Sequence, residues 1–177
     1  MSSVITPEID VIIETSLHLS RYGWVIKAIS IPRGQGLDYS LQKRELISRF
    51  TGGGINPDNI ELRPNGPDIV AIQEEKVWKI ECKGLGSCKP QTVRNNFDRA
   101  VSSAVSYFDG EATHIGLAIP MEYAFRGFIR GRVPKALRIA LNLWVFLLEQ
   151  DGCTVKDIGP DGHSSLHLQG GVQHDII

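Results

Sequence analysis

Gly66-Pro67-Asp68-Ile69-Val70-Ala71-Ile72-Gln73-Glu74-Glu75-Lys76-Val77-Trp78-Lys79-Ile80-Glu81-Cys82-Lys83-Gly84 is the stretch that decides the fold. Two apolar runs, Asp68 to Gln73 and Val77 to Lys83, flank a polar break, the pattern of two strands joined by a tight turn. With the turn at Glu74-Glu75, Gln73 faces Lys76. The same register sets Asp68 opposite Glu81, with Cβ atoms about 4.5–5.5 Å apart. A longer loop with the same centre keeps that register. Alternation places Asp68, Val70 and Ile72 on one face with Glu81 and Lys83, while Trp78, Ile80 and Cys82 point the other way. Carboxylates directly opposed repel, so a cation is expected between them. A hard divalent ion with oxygen ligands is the natural candidate, and Lys83 adds a mobile positive charge beside it.

Outward from the hairpin the chain reads as alternating elements. Thr6-Pro7-Glu8 opens a helix: Thr6 suits the cap, Pro7 the first position, and Glu8 and Asp10 the positive end of the dipole. Ile5, Ile9, Ile12, Ile13 and Ser16 repeat at helical spacing, and Gly23 ends the element. Trp24 to Ile31 reads as a strand, Tyr39 to Phe50 as a polar-faced helix, and Ile60 to Arg63 as a short strand. Gln91 to Phe108 is a long helix and His114 to Ile119 a buried-type strand. Short helices follow, to about Ile129 and from Pro134 to Ala140. Leu141 to Leu148 and Cys153 to Ile158 form a final hairpin turned by Asp151-Gly152. The order predicts an α/β domain. One domain over 1–159 is expected, with a core at about 7–119, an extension at 120–159 and a mobile acidic tail at 160–177.

Composition narrows the class. The chain has 177 residues, 42% hydrophobic and 22% charged, which suits a globular domain rather than a disordered or fibrous one. No apolar run reaches the ~18–20 residues of a bilayer span, so no membrane association is expected. The acidic N-terminal segment is not a secretory signal. Cys82, Cys88 and Cys153 cannot all pair and lack CxxC spacing, which points to free thiols in a reducing, cytoplasmic compartment. The net charge of -1 hides an asymmetry: Lys83 to Arg138 holds nine Lys/Arg against four acids, and Glu149 onward five acids against Lys156. A basic middle suits a polyanion partner while an acidic end stays in water. The plainer reading is a mixed solvated surface.

The hairpin with Asp68 and then Glu81-Cys82-Lys83 resembles the PD-(D/E)XK nuclease superfamily, which includes restriction endonucleases and archaeal Holliday-junction resolvases. The motif is Pro67-Asp68, twelve intervening residues, then Glu-Cys-Lys and Gly84. The helix, three strands, helix, strand order is similar to the family's core, and the likeness covers roughly Pro7 to Ile119. It implies a restriction-endonuclease-like three-layer α/β/α core with a mixed central sheet, to which a C-terminal β-hairpin extension is added. Glu14 looks like the acid the family commonly carries on its first helix, with Glu8 and Asp10 as weaker candidates. Some branches carry a Gln four residues before a Tyr in the helix after the motif. Here Tyr107 is preceded at that spacing by Ser103, and Gln91 is a substitute that nothing fixes.

The resemblance implies Mg²⁺-dependent hydrolysis of DNA phosphodiester bonds, with Mn²⁺ as a substitute, by an endonuclease. Asp68, Glu81 and the backbone carbonyl of Cys82 would hold the ion, and Glu14 would bind it or a second one through water. Lys83 would position the attacking water or stabilise developing charge. The Cys82 side chain is expected in the core. Homodimerisation is implied too, with the extension as its edge. Gln91, Arg94, Asn95 and Arg99 near a helix start are candidates for phosphate contact, or an ordinary solvated helix face. Arg126, Arg130, Arg132, Lys135 and Arg138, interleaved with Tyr123, Phe125 and Phe128, suit nucleic acid, although aromatics at that spacing are more often core. His18 and His114 read as structural. His163 and His167 have the spacing but not the surroundings of a zinc site. Two other classes compete: a non-catalytic nucleic-acid-binding module on the same fold, and a different enzyme using the carboxylates as acid and base. No GxSxG, Walker A or HExxH supports the last.

Overall fold

The structure, a computed structural model, describes residues 5–34, 36–86, 89–163 and 165–166, and the side chains of all of these but Tyr123 and Ala124. Its elements run α1 (Glu8–Arg21), β1 (Val25–Ser30), α2 (Tyr39–Gly52), β2 (Glu61–Arg63), β3 (Ile69–Gln73), β4 (Lys76–Cys82) and α3 (Pro90–Ser106), then β5 (His114–Pro120), α4 (Tyr123–Arg132), α5 (Lys135–Leu141), β6 (Leu143–Leu148) and β7 (Val155–Ile158). This is the order expected from the sequence. The strands form one mixed sheet, ordered β2-β1-β3-β4-β5-β6-β7. β4, β5 and β6 are mutually parallel. β3 pairs antiparallel with β1 and β4, and β7 antiparallel with β6. The extension therefore continues the sheet.

Period-two alternation splits the apolar residues between two cores. Trp78, Ile80, Cys82, Ala118, Trp144 and Phe146 pack toward α1. Ile115, Leu117, Ile119, Leu143, Val145 and Leu147 pack with Phe97 of α3 and Phe125 of α4. Helices thus cover both faces. Trp78 is fully buried, with the rings of Trp24, His114, Trp144 and Phe146 at 4.7–5.7 Å. Edge-to-face pairs of this kind add about 0.5–1.5 kcal/mol each beyond area burial.

α1 departs from its expected amphipathic form. It is buried nearly all round, with Glu14, Thr15, Ser16 and His18 enclosed beside the apolar residues. The sheet covers one side and α2 packs on another. Ser16 and His18 find partners in Ile12 O at 2.8 Å and Asp157 Oδ1 at 2.8 Å, so His18 is a satisfied structural histidine. Thr6 does not cap the helix; Pro7 occupies the N-cap position without a side-chain bond. The tail also departs from expectation where it is described. Leu166 is buried, and its N–H donates to Asp157 Oδ2 at 2.6 Å. Apolar burial and a charge-assisted bond dock this segment. Residues 164 and 167–177, which include His167, lie outside the described residues, as does Cys88. Among the described residues no helix is long and apolar enough to cross a membrane.

Candidate active site

The hairpin register is the one the turn implies. Gln73 pairs with Lys76, and the ladder runs to Ile69 opposite Ile80. Glu74 takes a left-handed φ of +55° to make so short a turn. Asp68 stands one residue beyond the ladder, where β3 no longer supplies acceptors to β4. Its side chain takes over: Cys82 N–H donates to Asp68 Oδ2 at 2.7 Å. β1 fixes the backbone there, with Ser30 N–H donating to Asp68 O and Ser30 Oγ–H to Pro67 O, both at 3.0 Å. The Cys82 side chain lies in the core with no exposed surface. In a strand the N–H and C=O of one residue face the same neighbour, so the Cys82 carbonyl faces the Asp68 side.

Glu81 lies on the α3 side of the sheet. Tyr107, which caps the C-terminus of α3, donates its hydroxyl to Glu81 Oε2 at 2.5 Å, and Ser103 makes a second side-chain bond. Lys83 continues β4, its N–H donating to Ala118 O at 2.8 Å, and its ammonium pairs with Glu8 Oε2 at 2.5 Å. Glu8 arrives by a long-range contact. Thr6 and Leu85 form an antiparallel bridge with N–H···O bonds of 3.0 and 2.7 Å. That bridge clamps the start of α1 onto the loop after β4. A Cβ on Gly84 would meet Glu8 N at 2.4 Å and Thr6 O at 2.5 Å, so only glycine permits the approach. A cavity of about 350 Å³ opens beside Glu8, Lys83 and Asn96.

Three carboxylates, Asp68, Glu81 and Glu8, thus share one lysine. Burial pushes Asp68 up to about 8, with the charges of Glu81 and Glu8 adding to it against the Cys82 N–H and Lys83. Burial likewise raises Glu81, against the Tyr107 bond and Lys83. Burial works against the Lys83 charge, but the bond and charge of Glu8, with Asp68 and Glu81, outweigh it and raise the ammonium above its ordinary range. Burial foremost, then Glu81, holds the Tyr107 hydroxyl protonated. Burial, then Asp68 and Glu81, raises the Cys82 thiol, which excludes it as a thiolate nucleophile.

This set fits a divalent cation. Two carboxylates held above their usual range by burial and nearby negative charge are what such an ion relieves. Among the described residues no group of three or more His, Cys, Asp or Glu forms a metal cage. Mg²⁺ does not require one, since it is usually held by one or two carboxylates and keeps several waters. Asp68, Glu81 and the Cys82 carbonyl are the residues that would hold it.

Glu14 is a correction. It is not brought to Asp68 and Glu81 but is buried against Arg49 of α2, which also takes Asp10 at 2.6 Å. A carboxylate enclosed on a fully covered helix needs a cation, and Arg49 supplies it. Glu8 stands where Glu14 was expected. Sequence reading also missed Tyr107 and Ser103 as partners of Glu81. Their signal was the four-residue spacing, which puts both on one helix face. Gln91 and Asn95 bond to each other at 2.8 Å, and Arg94 and Arg99 are exposed nearby on α3. Arg126, Arg130 and Lys135 are exposed on α4 and α5. Arg132 instead pairs with Asp98 of α3 and lies 5.7 Å from the Phe128 ring. Phe125 is core, as aromatics at that spacing usually are. His114 is held down at about 4 by burial and then Lys76, a neutral structural residue. No protein-family model matches the chain, and neither a curated protein nor a solved structure does.

Proposed function

We propose that the chain is a metal-dependent endonuclease on DNA, with a restriction-endonuclease-like core. The observation that carries the reading is the open end of the β3–β4 hairpin. There Asp68 and Glu81 face each other's charge with Lys83 beside them and a cavity opening next to the lysine. Bound Mg²⁺ or Mn²⁺ would polarise the phosphoryl oxygen and acidify an attacking water. Asp68 and Glu81 would hold the ion. Tyr107 and Ser103 fix the rotamer of Glu81, and Cys82 N–H fixes that of Asp68. Lys83, kept protonated by Glu8, stabilises the negative charge that grows on the phosphoryl oxygens. It is not a general base. The water oxygen bonds to phosphorus and gives up one proton to solvent, the bond to the 3′ oxygen breaks, and that oxygen takes a proton back from solvent, leaving a 5′-phosphate and a 3′-hydroxyl.

The exposed cations Arg94 and Arg99, which accompany Gln91 and Asn95 on α3, and Arg126, Arg130 and Lys135 supply the phosphate contacts. A homodimer would bring two such sites to the two strands, and sedimentation of the full chain tests it. The experiment for the main reading is plasmid cleavage with Mg²⁺ or Mn²⁺, wild type against Asp68→Ala. Cutting by wild type alone supports it; equal inertness on duplex, single-stranded and branched DNA overturns it. One observation favours a second reading, a non-catalytic nucleic-acid-binding module: the lysine is already engaged by Glu8. DNA binding that survives EDTA, with no cutting under any metal, selects that module.

A further inference from the structure

A second cavity, of about 770 Å³, lies against β7 at the edge of the sheet. That size is within the ~300–1,000 Å³ of small-molecule sites. Four cations line it: Arg126 and Arg130, one turn apart on α4, with Arg138 of α5 and Lys156 of β7. Its acid, Asp157, is already bonded to His18 and to the Leu166 N–H. Lys156 pairs with Glu149 outside the cavity lining. Arg138 reaches Gly159 O at 3.4 Å, but its Nε is buried with no hydrogen-bond partner among the described residues. The remaining walls are mostly apolar or aromatic, with Met121, Ile129 and Tyr22 among them, and include the polar Ser165. Tyr22 is half-buried, its ring 5.1 Å from that of His18.

A third depression shares lining residues with both this cavity and the one beside Lys83. The cavity against β7 shares Met121 with this smaller depression, which Thr6 and Pro7 also line. Thr6 and Pro7 line the cavity beside Glu8 and Lys83 in turn. Met121 follows β5 and Lys83 follows β4, and these strands are parallel. The depressions therefore follow the C-terminal ends of neighbouring strands.

We infer that this cavity binds one unpaired nucleotide of a nucleic-acid strand. Arg126 and Arg130 take its phosphate, and the base enters among Tyr22, Met121 and Ile129. An excess of guanidinium groups matches a phosphodiester, and an apolar chamber with an aromatic wall matches a base. The inference rests on the nuclease reading for the strand's course but not for the cavity's own chemistry.

The test is photo-crosslinking and binding of a short single-stranded oligodeoxynucleotide carrying 5-iodouracil, in EDTA, with the full chain. The expected crosslink is to Tyr22. Arg126→Glu with Arg130→Glu should weaken binding by about tenfold or more, and thymidine 5′-monophosphate should compete better than inorganic phosphate. Lys43→Glu with Arg44→Glu, exposed on α2, makes the same charge change away from the cavity and should weaken it far less. A crosslink confined to other residues, or equal losses from both double variants, overturns the inference. Phosphate competing as well as the nucleotide overturns the base pocket. Because the crosslink is read without metal, a correct crosslink together with no cutting in the separate Mg²⁺ or Mn²⁺ plasmid assay would sink the nuclease reading alone. Cleavage with the crosslink elsewhere would sink this one alone.

Discussion

Two acidic clusters sit on the N-terminal half of one helix, and they resolve their charge differently. Between α1 and α2, Glu14 takes one terminal nitrogen of Arg49 and Asp10 the other, which Glu45 of α2 also reaches at 3.3 Å. Burial opposes the Arg49 charge, but both acids together hold it above its ordinary range. At the helix start, Lys83 makes its ion pair with Glu8, while Asp68 and Glu81 answer to neutral donors, Cys82 N–H and the Tyr107 hydroxyl. The first cluster is closed on itself. The second keeps two carboxylates above their usual range. Buried carboxylates without a direct ion pair, not the number of acids, distinguish a site prepared for a cation from one that stabilises the fold.

That contrast can be broken most directly by deletion. Asp68→Ala and Glu81→Ala should each abolish metal-dependent cutting in a plasmid assay. The metal-free protein should change little in melting temperature, because relief of the carboxylate repulsion offsets the loss of the Cys82 N–H or Tyr107 hydroxyl bond. Lys83→Ala should slow single-turnover cleavage by about 10²–10³-fold, with metal affinity nearly unchanged; a loss confined to affinity would move Lys83 from charge stabilisation to ion binding. Glu14→Gln should do the reverse of the site variants. It should cost about 1–3 kcal/mol in denaturant unfolding, with cutting per folded molecule retained. Glu14→Gln protein that is stable but inactive would return Glu14 to the site.

The pH dependence sharpens the comparison further. The folded pKa of Asp68 lies above its unfolded value, so the folded state binds that proton more tightly. Its contribution to metal-free stability is complete below about pH 4 and is lost as pH rises through about 8. Metal binding needs the carboxylate and releases the proton, so affinity should climb over the same window. Asp68→Asn should flatten the metal-free melting profile there; an unchanged slope would place the titrating group elsewhere. The smallest effect expected is that of Tyr107→Phe, a loss of about tenfold or less in cleavage, corresponding to one hydrogen bond of ~0.5–1.5 kcal/mol.

What the sequence revealed follows from which interactions are local. The β3–β4 register was legible because side-chain period and a two-residue turn fix it together, and one slipped residue would move Trp78 out of its aromatic cluster to the opposite face of the sheet. The placement of Asp68, Glu81 and Lys83 came with it. The acid on α1 was misread because a helix covered by a sheet and by α2 has no polar flank to read. Glu8 reaches the site through the Thr6–Leu85 bridge and the close approach at Gly84, contacts between distant parts of the chain that no periodicity encodes. The order of helices and strands was legible in full, yet the docking of Leu166 was hidden in a segment rich in Gly and Ser, because its burial depends on Asp157 and the core.

The claim on which the rest depends is that Asp68 and Glu81 grip one divalent ion together. Titration of the full chain with Mn²⁺, followed by the electron paramagnetic resonance of the free ion, measures it. The account predicts one site per chain, with affinity rising toward pH 8, lost in Asp68→Asn and in Glu81→Gln and kept in Glu14→Gln. Mn²⁺ binding that ignores both of the first two substitutions, or no binding by wild type at alkaline pH, would contradict it.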